Sequence, residues 1–362
     1  MPLSQRATLT QFLIEERRRF PDARGDFNAL IMDVAMACKA MARTVALGAL
    51  GNPPVRLEAP AGLAVPGRLQ ESLDAHSSEL FMRLNEQGGC LAGLASDQVA
   101  APLQIPAPHT RGKYLLVFDA LDGSGNIDVN VSVGSIFSIL RAPHAVVTSA
   151  GDVSEADFLQ PGSRQVAAGY ALYGPTTMLV LTVGNGVNGF TLEPNLGEFM
   201  LTHPRMQIPP DTQEFAINAS NSRFWAPPIK RYVDECLAGR TGPRGKDFTM
   251  RWIASMVAEA HRILIRGGVF MDPRDSRDPD EPGRLRLLFE ANPIGFIMEQ
   301  AGGRASTGQQ PVLQVVPTAL SQQVGLVFGS KHEVERIERY HAERRGNTQD
   351  TPLFAERGLF RF

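Results

Sequence analysis

Two aspartates follow an apolar run near the middle of the chain, and their spacing could build a metal and phosphate site. The run from Tyr114 to Phe118 predicts a buried strand, and Asp119 and Asp122 come directly after it. The next residues are Gly123, Ser124, Gly125 and Asn126. Carboxylates at the tip of a buried strand are costly unless they bind a cation, and small residues let backbone N–H groups approach an anion. The pattern is typical of a Mg²⁺-dependent phosphate site, although an acidic turn between two strands would also explain it.

Bulk composition describes an ordinary globular protein with no bias toward nucleic acid or membranes. The chain has 362 residues, of which 43% are hydrophobic and 20% charged, and its formal net charge is −2. This charge gives no reason to expect nucleic acid or an anionic membrane as a partner. No apolar run reaches the roughly 18 residues that a membrane-spanning helix needs.

The cysteines and the N-terminal segment favour a cytoplasmic protein. Cys38, Cys90 and Cys236 are far apart and odd in number, and they form no CxxC pair, which favours buried thiols over disulfides or a zinc site. The N-terminal segment lacks the apolar core and cleavage site of a signal peptide. The sequence therefore predicts cytoplasmic localisation.

Hydrophobic periodicity predicts helices and strands in mixed order, which indicates an α+β or layered α/β fold. The predicted helices are 8–20, 28–50, 69–85, 228–238, 252–262, 285–301 and 331–345. The predicted strands are 90–94, 114–118, 129–140, 145–149, 166–173, 178–183, 188–193, 215–219, 263–271, 312–315 and 324–328. A Gly-, Pro- and Ala-rich stretch, 51–67, predicts a surface loop, and the Pro-rich stretch 203–213 predicts a domain boundary.

The central motif, FDALDGSGNIDVNVSVGSIFSIL, resembles the signature of class I fructose-1,6-bisphosphatase, within the Mg²⁺-dependent, lithium-sensitive sugar phosphatase superfamily. Three further segments are similar to the family in the same order: GYALYGPTTMLVLTVGNGVNGFTLEPNLGEF, SMVAEAHR and LRLLFEANPIGFIMEQAGG. The resemblance implies a layered α/β/α/β/α fold and a homotetramer. It also implies hydrolysis of the 1-phosphate of fructose 1,6-bisphosphate, in gluconeogenesis or carbon fixation.

The resemblance assigns the metal ligands. They are Asp97, Asp119, the backbone carbonyl of Leu121, Asp122 and Glu290. All are hard oxygen donors, which suit Mg²⁺ or Mn²⁺ better than zinc. In the family the ions polarise a phosphoryl oxygen and activate the attacking water.

The resemblance also assigns the substrate contacts. The phosphate cradle falls on Asp122, Gly123, Ser124 and Gly125, and Arg286 is the facing cation. The distal-phosphate and sugar positions fall on Asn218, Arg251, Trp252 and Arg284, with Arg251 at the position that reaches across a subunit interface. Residues 1–205 would then form a phosphatase domain with the metal turn, and residues 206–362 a domain for the sugar and distal phosphate.

Several positions depart from the family pattern. The family has paired glutamates at one strand end, and this chain has Asp97 and Gln98 there. In the family, the second glutamate and an aspartate, matched here by Asp74, help to deprotonate the attacking water. Gln98 cannot accept a proton, and a missing general base costs about 10²–10⁴-fold in rate. Arg68 replaces an acid related to the metal site, and Asp272 places a negative charge in the phosphate pocket. With Arg286, the residues Asp74, Asp97 and Gln98 make up the expected catalytic set.

Three hypotheses remain open at this point. The first is a fructose-1,6-bisphosphatase that uses Mg²⁺, and it is favoured. The second is a catalytically weakened paralogue with a structural or regulatory role, which the departures suggest. The third is a phosphatase for a related substrate, such as sedoheptulose 1,7-bisphosphate or an inositol phosphate.

Overall fold

The structure is a computed structural model, and it describes residues 6–19, 25–50, 68–107, 109–149, 152–277 and 282–349. The predicted loop at 51–67 lies outside these ranges. No helix in the described part of the chain is both long and apolar enough to cross a membrane. Cys38, Cys90 and Cys236 are buried free thiols, as the sequence predicts.

Helices come before, between and after runs of consecutive strands in the described part of the chain. They are α1 (Leu9–Arg19), α2 (Gly25–Leu47), α3 (Arg68–Glu86), α4 (His144–Ser149), α5 (Glu155–Phe158), α6 (Pro227–Leu237), α7 (Met256–Arg266), α8 (Asn292–Gln300) and α9 (Lys331–Gln349). A π-helical turn, Leu287–Ala291, leads directly into α8.

The first sheet has eight strands, in the order β2-β1-β3-β4-β5-β6-β7-β8. They are β1 (Leu91–Ser96), β2 (Leu103–Gln104), β3 (Tyr114–Asp122), β4 (Val133–Arg141), β5 (Ala167–Tyr173), β6 (Thr177–Thr182), β7 (Val187–Glu193) and β8 (Glu198–Met206). β1 and β3 are parallel, and the other neighbours are antiparallel.

The second sheet has five strands, in the order β10-β9-β11-β15-β13, and β12 and β14 form a separate antiparallel pair. The strands are β9 (Glu214–Ile217), β10 (Thr249–Met250), β11 (Val269–Asp272), β12 (Leu285–Arg286), β13 (Arg304–Ser306), β14 (Gln323–Val324) and β15 (Leu326–Gly329). The predicted boundary at 203–213 falls where β8 ends and the connection to β9 begins. The division into domains 1–205 and 206–362 stays a prediction.

Three apolar clusters show how the layers stack. One joins α1, α2 and α3 to one face of the first sheet, as Leu30 and Phe118 illustrate. The next joins the other face of that sheet to α7, α8 and the second sheet, and the third packs α6 and α9 on the far face of the second sheet. Neighbouring side chains on a strand point to opposite faces, so Phe118 belongs to the first cluster, whereas Val117 belongs to a fourth, smaller cluster that includes Phe158 of α5. The order is helix, sheet, helix, sheet, helix, which confirms the predicted α/β/α/β/α fold.

Some predicted elements are wrong, and turn chemistry explains each case. Residues 145–149 form helix α4 rather than a strand, because the carbonyl of Pro143 accepts from Val146 and Val147 and starts a helical turn. In the predicted strand 312–315, the residues Val312–Gln314 form a 3₁₀ turn after Pro311. The expected strand 263–271 is helical as far as Arg266, and it becomes a strand only after two glycines with positive φ.

The predicted helix 285–301 also begins differently. Leu285 and Arg286 extend as β12 and pair with β14, and the chain then winds into the π-helical turn before α8. Single π-helical turns are rare, and they are found frequently at functional sites. This one carries Glu290.

Candidate active site

Asp119 and Asp122 lie at the end of β3 on either side of an irregularity in the sheet. Asp119 is opposite Ile136 on β4, whereas Asp122 is opposite Gly134, so β3 contains one extra residue. Residues three apart on a regular strand point to opposite faces, and a one-residue bulge reverses that alternation. The bulge therefore brings two carboxylates to one place, which the sequence pattern alone could not show.

Glu290 joins these aspartates from the other half of the chain. The π-helical turn places its carboxylate beside them, and oxygens of Asp119, Asp122 and Glu290 lie within 4.8 Å of one another. The backbone N–H of Arg286 donates to Glu290 Oε2 at 2.6 Å and fixes the side chain. We call these three residues the acid triad.

Each member of the acid triad also accepts a hydrogen bond from a backbone N–H. The donor to Asp119 Oδ1 is Leu121 N at 3.0 Å, and the donor to Asp122 Oδ2 is Val257 N at 3.1 Å. These dipoles orient the carboxylates without neutralising their charge. The triad is therefore fixed in place, and these bonds add no positive charge to it.

Burial and mutual repulsion make the charged triad unfavourable. Burial raises the pKa of Glu290 to about 8, and the charge of Asp122 adds to the shift. Burial also raises the pKa of Asp122 to about 6, although the bond from Val257 opposes it. The pKa of Asp119 is well above its usual range, through burial and then through its acidic neighbours. A bound cation would remove this penalty, so the site can hold a divalent metal.

Asp97 and Leu121, the other predicted ligands, lie next to the triad in different ways. Leu121 is buried inside the bulge between the two aspartates, so its backbone belongs to the same turn. Asp97 follows β1, which is the parallel neighbour of β3. Its carboxylate is 3.3 Å from the Arg286 guanidinium and accepts from Gln98 Nε2 at 2.5 Å. Asp97 is thus bound to side-chain donors rather than grouped with the triad.

Arg286 links the strand ends on the two sides of the site. Its guanidinium also donates to the backbone carbonyl of Asp97, and its backbone holds Glu290. The Arg286 side chain is 38% exposed, so the cation also faces solvent beside the acids. This is where the resemblance placed the cation that faces a phosphate.

Residues Gly123 to Asn126 form a tight turn immediately after the triad. Gly123 has φ of 74°, in the left-handed region that glycine adopts without strain, and a 3₁₀ turn follows from Ser124 to Asn126. Ser124 Oγ donates to Asp74 Oδ2 at 3.2 Å, which ties the turn to α3. Asp74 and the turn are therefore neighbours, as the resemblance implied. The side chain of Arg68 lies outside what the structure describes.

The sequence prediction missed the start of α7, which supports the same turn. Ser255 caps this helix, and its Val257 N–H binds Asp122. Asn126 Nδ2 donates to the carbonyl of Ala254 at 2.7 Å, and Ala254 has a positive φ of 60°. A non-glycine residue in that region is strained, and such strain is concentrated at functional sites. A serine directly before the apolar run MVAEAHRIL was the available signal for the helix start.

The predicted distal residues each have a local partner. Asn218 caps a 3₁₀ turn by accepting from Ser220. Arg251 Nε binds Glu214 of the same chain at 2.8 Å, and Trp252 stacks on Phe270 with ring centroids 5.9 Å apart. The structure thus anchors these side chains along the second sheet.

Arg284 is paired with Asp272, the residue whose charge conflicted with a phosphate pocket. The guanidinium donates to Asp272 Oδ1, and the pairing of β11 with β15 and of β12 with β14 brings the two residues together. Asp272 therefore faces a cation within its own chain. No pattern in the sequence indicates this pair, because twelve residues separate its members.

Comparison with known proteins agrees with this geometry. The model of the fructose-1,6-bisphosphatase N-terminal domain matches residues 7–204, and that of the C-terminal domain matches residues 208–342. The class 1 fructose-1,6-bisphosphatase of Hydrogenophilus thermoluteolus is 65% identical over 354 residues, 98% of this chain and 97% of that protein. A class 1 enzyme of Methylibium petroleiphilum is 58% identical over 360 residues, 99% of each chain.

Solved structures give the same result for the fold. The holo form of Leishmania major fructose-1,6-bisphosphatase superposes with a TM-score of 0.81 at 35% identity, covering 93% of this chain and 99% of the other. Its apo form gives a TM-score of 0.79 at the same identity, covering 93% and 100%. The shared domains, the high identity over nearly the full length and the common fold show that this chain belongs to the class 1 fructose-1,6-bisphosphatase family.

Proposed function

We propose that this protein hydrolyses the 1-phosphate of fructose 1,6-bisphosphate to give fructose 6-phosphate and inorganic phosphate. The observation that carries the proposal is the buried acid triad beside a glycine turn and a half-exposed arginine. Buried acids with raised pKa values in such a place are typical of a functional site. The relatives that carry this activity in their names are 65% and 58% identical to the chain.

The acid triad, with Asp97 and the Leu121 carbonyl, would hold Mg²⁺, or Mn²⁺ in its place. A bound divalent cation supplies Lewis-acid polarisation of a phosphoryl oxygen and lowers the pKa of a water. The contribution of the chain is to fix the carboxylates through backbone N–H groups and to keep them partly out of solvent. Buried oxygen ligands of this kind suit magnesium better than a softer metal.

The turn and Arg286 would bind and orient the phosphate. Gly123 and Gly125 carry no side chain to keep an anion from the backbone N–H groups. A guanidinium can bind two phosphate oxygens and stabilise the charge that develops on them. Arg286 is already bound to Asp97, so the phosphate would share or replace that contact.

Asp74 is the proposed proton acceptor for the attacking water. It lies within hydrogen-bond distance of Ser124 in the phosphate turn, at 3.2 Å. Gln98 has no basic group, and its amide donates to Asp97 instead. We therefore expect slower turnover than a chain with a glutamate at position 98 would have, because one acceptor is missing.

The remaining proposals concern substrate range, assembly and location. The sugar and its distal phosphate would contact Asn218, Arg251, Trp252 and Arg284. A larger bisphosphate, such as that of sedoheptulose, is a second candidate substrate, since Asp272 changes the charge of this distal-phosphate pocket. We also propose a homotetramer, by the resemblance, and a cytoplasmic location, which the three buried free thiols support.

Phosphate release from fructose 1,6-bisphosphate with saturating Mg²⁺ tests the proposal directly. We expect measurable turnover that EDTA abolishes and that fresh Mg²⁺ or Mn²⁺ restores. A folded protein that releases no phosphate above the buffer control would contradict the catalytic function and favour a structural or regulatory role. The ratio of kcat/KM for the fructose and sedoheptulose bisphosphates then decides the substrate.

A further inference from the structure

Two arginines lie at the short ladder that leads to the acid triad. Leu285 and Arg286 pair with Val324 and Gln323, and the backbone hydrogen bonds from Leu287 N to Gln322 O and from Gly325 N to Pro282 O flank this pair. Arg284 lies in a bend directly before the ladder, two residues from Arg286. The segment therefore places one cation, Arg286, beside the acid triad and a second cation, Arg284, two residues earlier in the chain.

An acid binds each of these cations. Arg286 contacts Asp97, beside the acid triad, and Arg284 contacts Asp272, at the end of β11. The side chain of Asp272 is only 13% exposed, whereas that of Arg284 is 46% exposed. The carboxylate thus lies beneath the guanidinium, and the guanidinium forms the surface that a ligand would meet.

The nearby acid Asp275 has its own cation. Arg277 binds both carboxylate oxygens of Asp275, at distances of 3.0 and 2.6 Å to Oδ2 and 3.2 Å to Oδ1. The ion pair of Asp275 with Arg277 is therefore separate from the ion pair of Asp272 with Arg284. This neighbour provides a matched control for any change of charge at Asp272.

An anionic group that binds Arg284 must overcome the Asp272 carboxylate. The guanidinium is already neutralised, and the carboxylate beneath it repels a second anion. A sugar phosphate whose only phosphate lies at the triad would not meet this cost, because it does not reach Arg284. The pair therefore weakens binding of one substrate class and leaves the other unaffected.

We propose that Asp272 sets the selectivity of the site between sugar phosphates that carry a distal phosphate and those whose only phosphate lies at the triad, by competing with the distal phosphate for Arg284. The proposal rests on the proposed function, since it takes the bisphosphate to lie across both arginines. Asp272 acts here as a positioning residue, because it changes the charge and orientation of Arg284 without touching the reacting phosphate.

The test compares Asp272→Asn with Asp275→Asn, which removes the same charge three residues away. Calorimetry with fructose 6-phosphate, which carries only the distal phosphate, should show about three- to fivefold tighter binding to Asp272→Asn and less than about twofold change in Asp275→Asn. The KM for fructose 1,6-bisphosphate should fall by a similar factor at nearly constant kcat. The KM for fructose 1-phosphate should stay within about twofold.

The outcomes separate this inference from the proposed function. Unchanged or weaker binding of fructose 6-phosphate by Asp272→Asn, in a protein that melts at the wild-type temperature, overturns the inference alone. A wild-type protein that releases no phosphate overturns the proposed function, while the calorimetry still tests competition for Arg284. If Asp272→Asn proves unstable, Asp272→Ser removes the same charge, and the same binding result is expected from it.

Discussion

The acids on the two sides of the site are treated in opposite ways by the fold. The acid triad, Asp119, Asp122 and Glu290, accepts hydrogen bonds from backbone N–H groups, and burial raises the pKa of each member. Along the second sheet, Asp272 and Glu214 are each bound to arginine instead. The triad carboxylates accept hydrogen bonds from backbone N–H groups and form no ion pair with an arginine in the contacts described above. The second-sheet carboxylates form ion pairs with arginines.

This contrast shows where ligand binding can contribute free energy. Glu214 is held by both Arg251 and Arg262, at 2.8 and 2.6 Å, and its pKa is lowered despite some desolvation. A metal would gain little at such a compensated acid. At the triad a divalent cation would remove repulsion and desolvation at once, so a bound metal could contribute more free energy there than at Glu214.

The largest expected effect is at the triad itself. Asp122→Asn removes one charged oxygen from the cluster, and phosphate release should fall by about 10²–10³-fold, since a lost Lewis-acid contact is worth several kcal/mol. Asp128→Asn is the matched control, because Asp128 is exposed in the same turn and belongs to no acid cluster described above. Initial rates with saturating Mg²⁺ check the result. Equal loss in both variants would show that the turn, and not the triad, is sensitive.

A gain of activity is expected at position 98. Gln98→Glu restores a proton acceptor beside Asp97, and kcat should rise by about tenfold or more, because a general base contributes about 10²–10⁴-fold when well placed. Gln98→Leu also removes the hydrogen bond to Asp97 but adds no base, so its kcat should not rise. If kcat is the same for Gln98→Glu and the wild type, Asp74 or another group already supplies the base.

The triad should also make the metal-free protein less stable as pH rises. The folded pKa of Glu290 is about 8, above its ordinary 4.5, so its stabilising effect is complete below pH 4.5 and is lost as pH rises to 8. The slope is at most about 1.4 kcal/mol per pH unit for one group. Melting temperatures in EDTA should fall between pH 6.5 and 8, less steeply in Glu290→Gln. Excess Mg²⁺ should remove the slope, and a flat profile in EDTA argues against the raised pKa.

The smallest effect is expected at Glu214 in the second sheet, and its contribution to stability depends on pH with the opposite sign. The pKa of Glu214 is lowered in the fold, so its stabilisation is present above about pH 4.5 and disappears as pH falls. Glu214→Gln should cost no more than about 1 kcal/mol at pH 7, because Arg251 is half exposed. Urea unfolding at pH 7 and pH 4 measures the change. A difference from wild type that is undiminished at pH 4 would point to lost packing rather than lost charge, because the charge contribution already decreases below pH 4.5.

Much of the architecture could be predicted from local pattern. Strong apolar periodicity located α2, α3 and six of the eight strands of the first sheet, because those elements bury whole faces. The strands β2 and β8 were not predicted. The errors came where short segments are governed by single turns, as at residues 145–149 and at Gly267 and Gly268. A β-branched run after a proline can form a helix or a strand, and only its surroundings decide which.

The site was predicted less completely than the fold. The DxxDG motif identified Asp119, Asp122 and the glycine turn from the residues, whereas Glu290 and Arg286 came from the resemblance. The start of α7 at Ser255 and the partner of Arg284 were not found, since both depend on contacts between segments that are distant in the sequence. Contacts between distant side chains produce no hydrophobic periodicity and no motif in the sequence that could indicate them.

The sequence by itself determined the acids, the small residues after them and the mixed order of helices and strands, because these depend on residue type and local spacing. Tertiary structure decided which carboxylates converge and which are neutralised. A one-residue bulge brings Asp119 and Asp122 to one place, and a π-helical turn brings Glu290 to them. The fold also brought Asp272, at the end of β11, into contact with Arg284, directly before β12. Charge acts through space, so its balance is fixed only once the chain has folded.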